Sequence, residues 1–158
     1  MRTEYEIITG QNIKRLSNGA VINRYSHIVR GADIGDGVMI GEFCYVARTA
    51  IIGDNSRVQN HVSVWDGVEI GKNCFIGPKV CFTNHHNPQD RFKREGEFIP
   101  DKTIIEDNAT LCANATIISP RVIKQGSRIG AASIVLADVE EGAQKNGLIK
   151  RGKSNARS

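Results

Sequence analysis

Large apolar residues return along this chain at every sixth position. Leu16, Ile22, Ile28, Ile34, Ile40, Val46, Ile52, Val58, Val64, Ile70, Ile76 and Phe82 keep one register. Ile105, Leu111, Ile117, Ile123, Ile129 and Val135 keep a second. A small residue usually follows, as in Ile34-Gly35, Val46-Ala47 and Ile76-Gly77. A period of six is not helical, because an amphipathic helix needs spacings of three and four. It suits short strands, whose faces repeat every two residues, if a corner interrupts each strand. The residue two before each aliphatic shares its strand face. Ala32, Val38, Cys44, Ala50, Ser56, Val62, Val68, Cys74 and Val80 fill that slot, and most are small or β-branched. Each unit thus supplies two inward side chains and a turn. One unit cannot bury its apolar face, but stacked units cover one another.

The corners and breaks follow from the same register. Asp36-Gly37, Asp54-Asn55, Asp66-Gly67 and Lys72-Asn73 are turn pairs, since Gly, Asn and Asp tolerate turn dihedrals. Residues 1–15 fall out of register and are expected to cap the first coil, which has no neighbour on that side. Residues 16–137 form the repeat, interrupted by a loop at 83–104. A loop of that length in a compact domain is usually functional or disordered. Phe92, Phe98 and Ile99 argue that it docks, and His85, His86, Arg91 and Arg94 make it the chemically richest stretch. Residues 138–158 read as a terminal segment ending in a basic tail. Gln59 and Trp65 stand where Gly or Ala is expected, so their side chains point outward from corners. Trp65 either borders a site or packs at a subunit interface.

Composition narrows the function classes. The chain has 158 residues, suited to one domain, with 24% charged and 6% aromatic residues. The net charge is +4. Its basic residues are scattered or lie in the tail, so a nucleic-acid partner is not expected, while small phosphorylated ligands suit the charge. The apolar runs are too short to span a bilayer, and the start lacks the apolar core of a signal peptide. The expected location is cytoplasmic, with no membrane partner. Cys44 and Cys74 occupy inward slots and read as small buried side chains. No Cys or His spacing suggests zinc, so no metal and four reduced thiols are expected.

The repeat resembles the left-handed parallel β-helix of the hexapeptide-repeat acyltransferases. That resemblance implies an all-β solenoid of about six coils, three units to a coil, with one long inserted loop. The left-handed winding comes from the resemblance alone, since the general rule for parallel crossovers gives the opposite hand. A narrower likeness lies in Gln59-Asn60 through Val64-Trp65-Asp66, in Gly77-Pro78 through Phe82-Thr83-Asn84 with Asn87-Pro88, and in Ala113-Asn114-Ala115-Thr116-Ile117. These segments resemble the nucleotide-sugar N-acetyltransferases. The likeness implies acetyl transfer from acetyl-CoA to the amine of a UDP- or dTDP-linked deoxyamino sugar, for surface polysaccharide assembly. It also implies a homotrimer with active sites between subunits.

The resemblance places Asn84 beside the acceptor amine. An amide oxygen can accept a hydrogen bond from the amine and aim its lone pair. The leaving CoA sulfur takes the proton, and a corner backbone N–H serves the developing oxyanion. His85 or His86 is a further catalytic candidate. Trp65 and Asp66 border the acceptor, and Arg91 and Arg94 are candidates for its phosphates. Ala113, Gly130 and Ala131 match the small corner residues along which the pantetheine arm runs. Gly147-Leu148-Ile149-Lys150 stands where the family's closing segment lies near the adenine, with Lys150 as its basic residue. Ala137 stands where a Lys often follows the last regular unit, and Arg121 replaces a small residue.

Rival readings differ in chemistry. An O-acetyltransferase would use a loop His as general base, because a hydroxyl must lose its proton as it attacks. In that pattern the His precedes a Pro, whereas Asn87 precedes Pro88 here. A γ-class carbonic anhydrase needs three zinc-binding histidines, and the adjacent His85-His86 pair with His61 does not supply them. A non-catalytic trimeric scaffold would have no use for so polar an insertion.

Overall fold

The computed structural model describes residues 13–85, 87 and 99–150. Most of the expected cap at 1–15 and of the loop at 83–104, with His86, Arg91 and Arg94, lies outside the described residues. The six-residue units form strands of two or three residues, and every third strand pairs in parallel. The first coil is Val21–Ile22, His27–Ile28 and Asp33–Ile34, one strand on each of three faces. The faces are sheets of eight, seven and five strands. Face 1 carries Val21–Ile22, face 2 His27–Ile28 and face 3 Asp33–Ile34. Lys14–Arg15 opens face 1 as its antiparallel edge. The described residues form an all-β, left-handed parallel β-helix of about six turns.

The register explains why the aliphatics recur. Gly35 N–H donates to Ile52 O at 2.8 Å and Gly53 N–H to Ile70 O at 2.7 Å, so residues 18 apart stack. Across the insertion the offset becomes 35, and Gly71 N–H still reaches Ile105 O at 2.7 Å. The two blocks of the pattern are therefore one ladder. Apart from Leu16, which packs half-buried against the core, every aliphatic of the two registers is buried. Each fully buried side chain of this size stabilises by roughly 1.5–3 kcal/mol relative to exposure. The ladder continues past position 137. Val139 bridges to Ile123, Gln144–Lys145 pairs with Arg128–Ile129, and Leu148–Ile149 pairs with Ile134–Val135. No six-residue register announces these strands, because Gln144–Lys145 is exposed on both residues.

Polar side chains stitch neighbouring coils at two places. At corners, an Asx from one coil caps the preceding one. Asp54 Oδ1 accepts from Asp36 N–H at 3.0 Å, Asn60 Oδ1 from Glu42 N–H at 3.0 Å, and Asp107 Oδ1 from Lys72 N–H at 2.7 Å. This is why glycine follows so many of the aliphatics. A Cβ on Gly35, Gly41 or Gly71 would lie 2.4–2.6 Å from these same oxygens. Inside, two serines do similar work. Ser26 Oγ donates to Gly41 O and accepts from Cys44 N–H, and Ser56 Oγ donates to Gly71 O and accepts from Cys74 N–H. Cys44 Sγ lies 3.1 Å from Gln59 O, and Cys74 Sγ 3.1 Å from Glu106 O. Burial pushes both thiols above their ordinary pKa, with backbone hydrogen bonds partly offsetting it.

The corners differ in how they reach positive φ. Between faces 3 and 1 the residues are Gly37, Asn55, Asn73, Asn108, Gly126 and Gly142. Between faces 1 and 2 they include Tyr25 (φ 59°), Phe43 (φ 56°) and His61 (φ 60°). Bulky residues rarely adopt this region, which costs roughly 1–2 kcal/mol each. Their rings stack, Tyr25 on Phe43 and Phe43 on His61, with centroids 5.0 Å apart and planes within 13° and 4°. Aromatic pairs contribute about 0.5–1.5 kcal/mol beyond burial, so the two stacked pairs offset part of the strain.

Two outcomes test these devices. Phe43→Ala keeps the left-handed backbone but loses both ring contacts, and should lower stability by about 1–3 kcal/mol in urea unfolding. Phe43→Asn should cost less, because Asn tolerates this region. Equal losses would show that backbone strain plays no part. In the native protein at pH 8, Cys81, which is exposed, should react with a disulfide reagent at once. Cys44 and Cys74 should react only on unfolding, because the thiolate is the reactive form and burial suppresses it.

Candidate active site

The site candidates that the structure describes lie in two groups, one at each edge of face 2. Trp65, Asp66, Asn84 and Lys150 follow face 2 strands, at the corner leading to face 3. Ala113, Gly130 and Ala131 lie at the corner leading from face 1 into face 2. The outward row of face 2 separates the groups, with Ser63, Cys81 and Thr116 in register. Along the axis Asn84 sits on the fourth coil, one step from Trp65 and Asp66. Lys150 is three steps further, about 14 Å at roughly 4.8 Å per strand.

Asn84 is the second residue after Cys81–Phe82, where the insertion leaves the coil. It is half-buried. Its carbonyl accepts the N–H of Asp101, on the returning stem, at 2.8 Å. One coil below, Asp66 Oδ1 accepts from Thr49 N–H at 2.9 Å and from Thr49 Oγ1 at 2.7 Å, which fixes its carboxylate. Trp65 is 38% exposed and lies tilted at 44° on Tyr45, with centroids 5.2 Å apart. Tyr45 in turn stacks on His27. The next unit up in this column offers Thr83, so no aromatic ring continues the stack towards Asn84.

His85 Nδ1 accepts a hydrogen bond from Asn87 N–H at 3.1 Å. That bond keeps the proton of the neutral ring on Nε2. A ring in this tautomer has no lone pair on Nε2 to act as a base. His61 is committed to its ring stack on Phe43. Among the described residues no three His, Cys, Asp or Glu side chains group to hold a metal ion.

The donor candidates differ in kind. Gly130 is buried, and a Cβ there would lie 1.8 Å from Asn146 Oδ1, so packing against the next coil explains its glycine. Ala131 is exposed and Ala113 half-buried, leaving small side chains at an accessible corner. A groove of about 470 Å³ on face 3 is lined by Asp33, Ile51, Glu69, Lys72 and Ile104. Another of about 510 Å³ at the C-terminal end includes Lys145, Asn146 and Lys150. Neither is lined by Asn84.

Several residues here escaped the sequence reading. Thr83, Asp101 and Ser119 join the two stems of the insertion, with Ser119 fully buried. Gly67 (φ 83°) lets the returning stem approach, since a Cβ there would meet Asp101 O at 2.6 Å. A signal existed for Thr83, a hydroxyl placed right after the last regular aliphatic. For Ser119 and Asp101 the relevant partner is 36 or 18 positions away.

Comparison with known proteins agrees with the coil. Residues 49–84 match the bacterial transferase hexapeptide (six repeats) model, and residues 31–65 match the hexapeptide repeat of succinyl-transferase. The bifunctional protein GlmU of Clostridioides difficile (strain 630) is 29% identical over 95% of this chain and 32% of its own length. GlmU of Bartonella quintana (strain Toulouse) is 33% identical over 76% of this chain and 24% of its own. The chain thus spans about a third or less of these curated relatives. Among solved structures, a point mutant of GDP-perosamine N-acetyl transferase from Caulobacter crescentus, in complex with CoA and GDP-perosamine, superposes with TM-score 0.65. It is 17% identical over 81% of this chain and 53% of its own. A hexapeptide-repeat containing acetyltransferase from Vibrio cholerae O1 biovar eltor, complexed with acetyl-CoA, gives TM-score 0.61 at 24% identity, over 74% and 66%. At these identities the superpositions establish the fold. Residues 31–84 thus carry the hexapeptide repeat that these models describe, and the six-residue register and parallel ladder continue it along the rest of the coil.

Proposed function

We propose that this protein transfers an acetyl group from acetyl-CoA to the amine of a nucleotide-linked deoxyamino sugar. The carrying observation is the position of Asn84, presented where the insertion leaves the coil and held by its carbonyl to the returning stem. The neighbour in complex with CoA and GDP-perosamine is an N-acetyl transferase on the same fold, which supports the reading.

Acetyl-CoA supplies a thioester carbonyl as the electrophile. Asn84 would accept a hydrogen bond from the acceptor amine and aim its lone pair at that carbon. The new C–N bond forms as the C–S bond breaks, and the amine proton leaves on the CoA sulfur. Asp66 and Trp65, one coil below, would flank the sugar, and Arg91 and Arg94 would meet its phosphates. His86 remains a candidate contact, while the tautomer of His85 argues for a binding rather than a basic role. Ala113 and Ala131 would border the donor arm, with Lys150 towards its nucleotide end. Gly130 fits that role less well, since Asn146 covers it. The two groups sit at different corners of one chain, which suits a cleft completed by a neighbouring subunit of a homotrimer. Acetylation of a hydroxyl is the second reading, and the same His85 geometry counts against it.

Two measurements test the reading. Calorimetry should show saturable micromolar binding of acetyl-CoA and CoA, about one per subunit. No binding at millimolar ligand would sink the acyltransferase reading and favour a scaffold. Asn84→Ala should lower kcat on the amino-sugar acceptor by roughly 10–100-fold, with donor affinity unchanged. Turnover at the wild-type rate in this variant would remove Asn84 from the chemistry.

A further inference from the structure

The geometry points to Ser119 as a positioning residue that, through Thr83 and Asp101, holds both stems of the insertion and thereby the backbone of Asn84. Three hydrogen bonds meet at Ser119. Its N–H donates to Thr83 Oγ1 at 2.8 Å. Its Oγ lies 3.0 Å from Thr83 Oγ1 and 3.3 Å from Asp101 Oδ2. A hydroxyl has one proton and a carboxylate has none to give, so the direction is determined. Ser119 donates to Asp101, and Thr83 must then donate to Ser119. The relay therefore runs one way, from Thr83 through Ser119 to the Asp101 carboxylate.

The relay ends where it matters for Asn84. Asp101 N–H donates to Asn84 O at 2.8 Å. Two residues on, Thr103 N–H donates to Gly67 O at 2.9 Å, beside Asp66. The clasp thus spans three coils: Gly67 on the third, Thr83, Asn84 and Asp101 on the fourth, Ser119 on the fifth. Ser119 is fully buried and Thr83 and Asp101 are half-buried. Buried polar groups left without partners are costly, so the arrangement favours a single geometry. A long insertion is otherwise free to pivot about its ends. Fixing both ends at one corner gives Asn84 a defined orientation, and a displacement near 1 Å can cost a catalyst about 100-fold.

This inference rests on the role proposed for Asn84, and its test separates the two. Thr83→Val removes the hydroxyl at nearly constant shape, Thr83→Ser keeps it, and Ser119→Ala breaks the relay at its centre. Amide hydrogen exchange at Asp101 reads the clasp without any substrate. It should quicken at least ten-fold in Thr83→Val and Ser119→Ala and stay near wild type in Thr83→Ser. Steady-state kinetics should show kcat down roughly 10–100-fold in the first two, KM for acetyl-CoA unchanged, and rescue in Thr83→Ser. Unchanged exchange at Asp101 in Thr83→Val overturns the clasp, and faster exchange with unaltered kcat overturns its positioning role. Should the wild-type protein transfer no acetyl group, the proposed function fails, and Asp101 exchange alone then decides whether the clasp exists. The Thr83 pair keeps the test decisive if Ser119→Ala does not fold.

Discussion

Everything in this molecule depends on one coil lying in register on the next. A strand of two residues makes too few contacts to be stable alone. It persists because the parallel ladder satisfies its backbone and because its single inward aliphatic is covered from both sides. The constraint is severe. A slip of one residue would turn every inward side chain to solvent. The insertion shows how it is respected: the chain departs after Phe82, yet Thr103–Ile105 returns directly over Val68–Ile70.

Register alone would leave the corners unpaired, and the corners carry most of the specific chemistry. Asx side chains reach across to cap the neighbouring coil, and glycines make room for them. This removes one apparent functional signal. Gly130 sits where a donor arm would run in relatives of this fold, but Asn146 accounts for it. The aromatic column at the corner between faces 1 and 2 solves a different problem. Tyr25, Phe43 and His61 adopt a backbone region that Gly and Asn occupy elsewhere, and they recover part of the cost by stacking at the spacing of the coils.

The insertion breaks the sameness of the scaffold. A regular solenoid presents near-identical corners, so no one of them is distinguished. The departure at Thr83 and return at Asp101 break that equivalence on the fourth coil. Hydroxyls that would be out of place in an aliphatic interior find partners there, and Asn84 is presented at the seam. The proposed acetyl transfer to an amine asks mainly for orientation, which a seam pinned at both ends suits.

The six-residue period by itself determined the strands, the inward aliphatics and the interruption at 83–104, because a repeat reports packing at short range. Asn84, Trp65 and Asp66 could also be singled out, since each departs from the repeat or matches a motif within a few residues. Other features were settled only by tertiary structure. The strands at Gln144–Lys145 and Leu148–Ile149 fall outside the six-residue register and exist because Arg128–Ile129 and Ile134–Val135 template them. His85 reads as a possible base on the sequence, and a hydrogen bond from Asn87 sets its tautomer. Thr83, Asp101 and Ser119 are ordinary polar residues in one dimension. They become a clasp because coil stacking brings together residues 18 and 36 positions apart, and local sequence carries no record of what it will face across that distance.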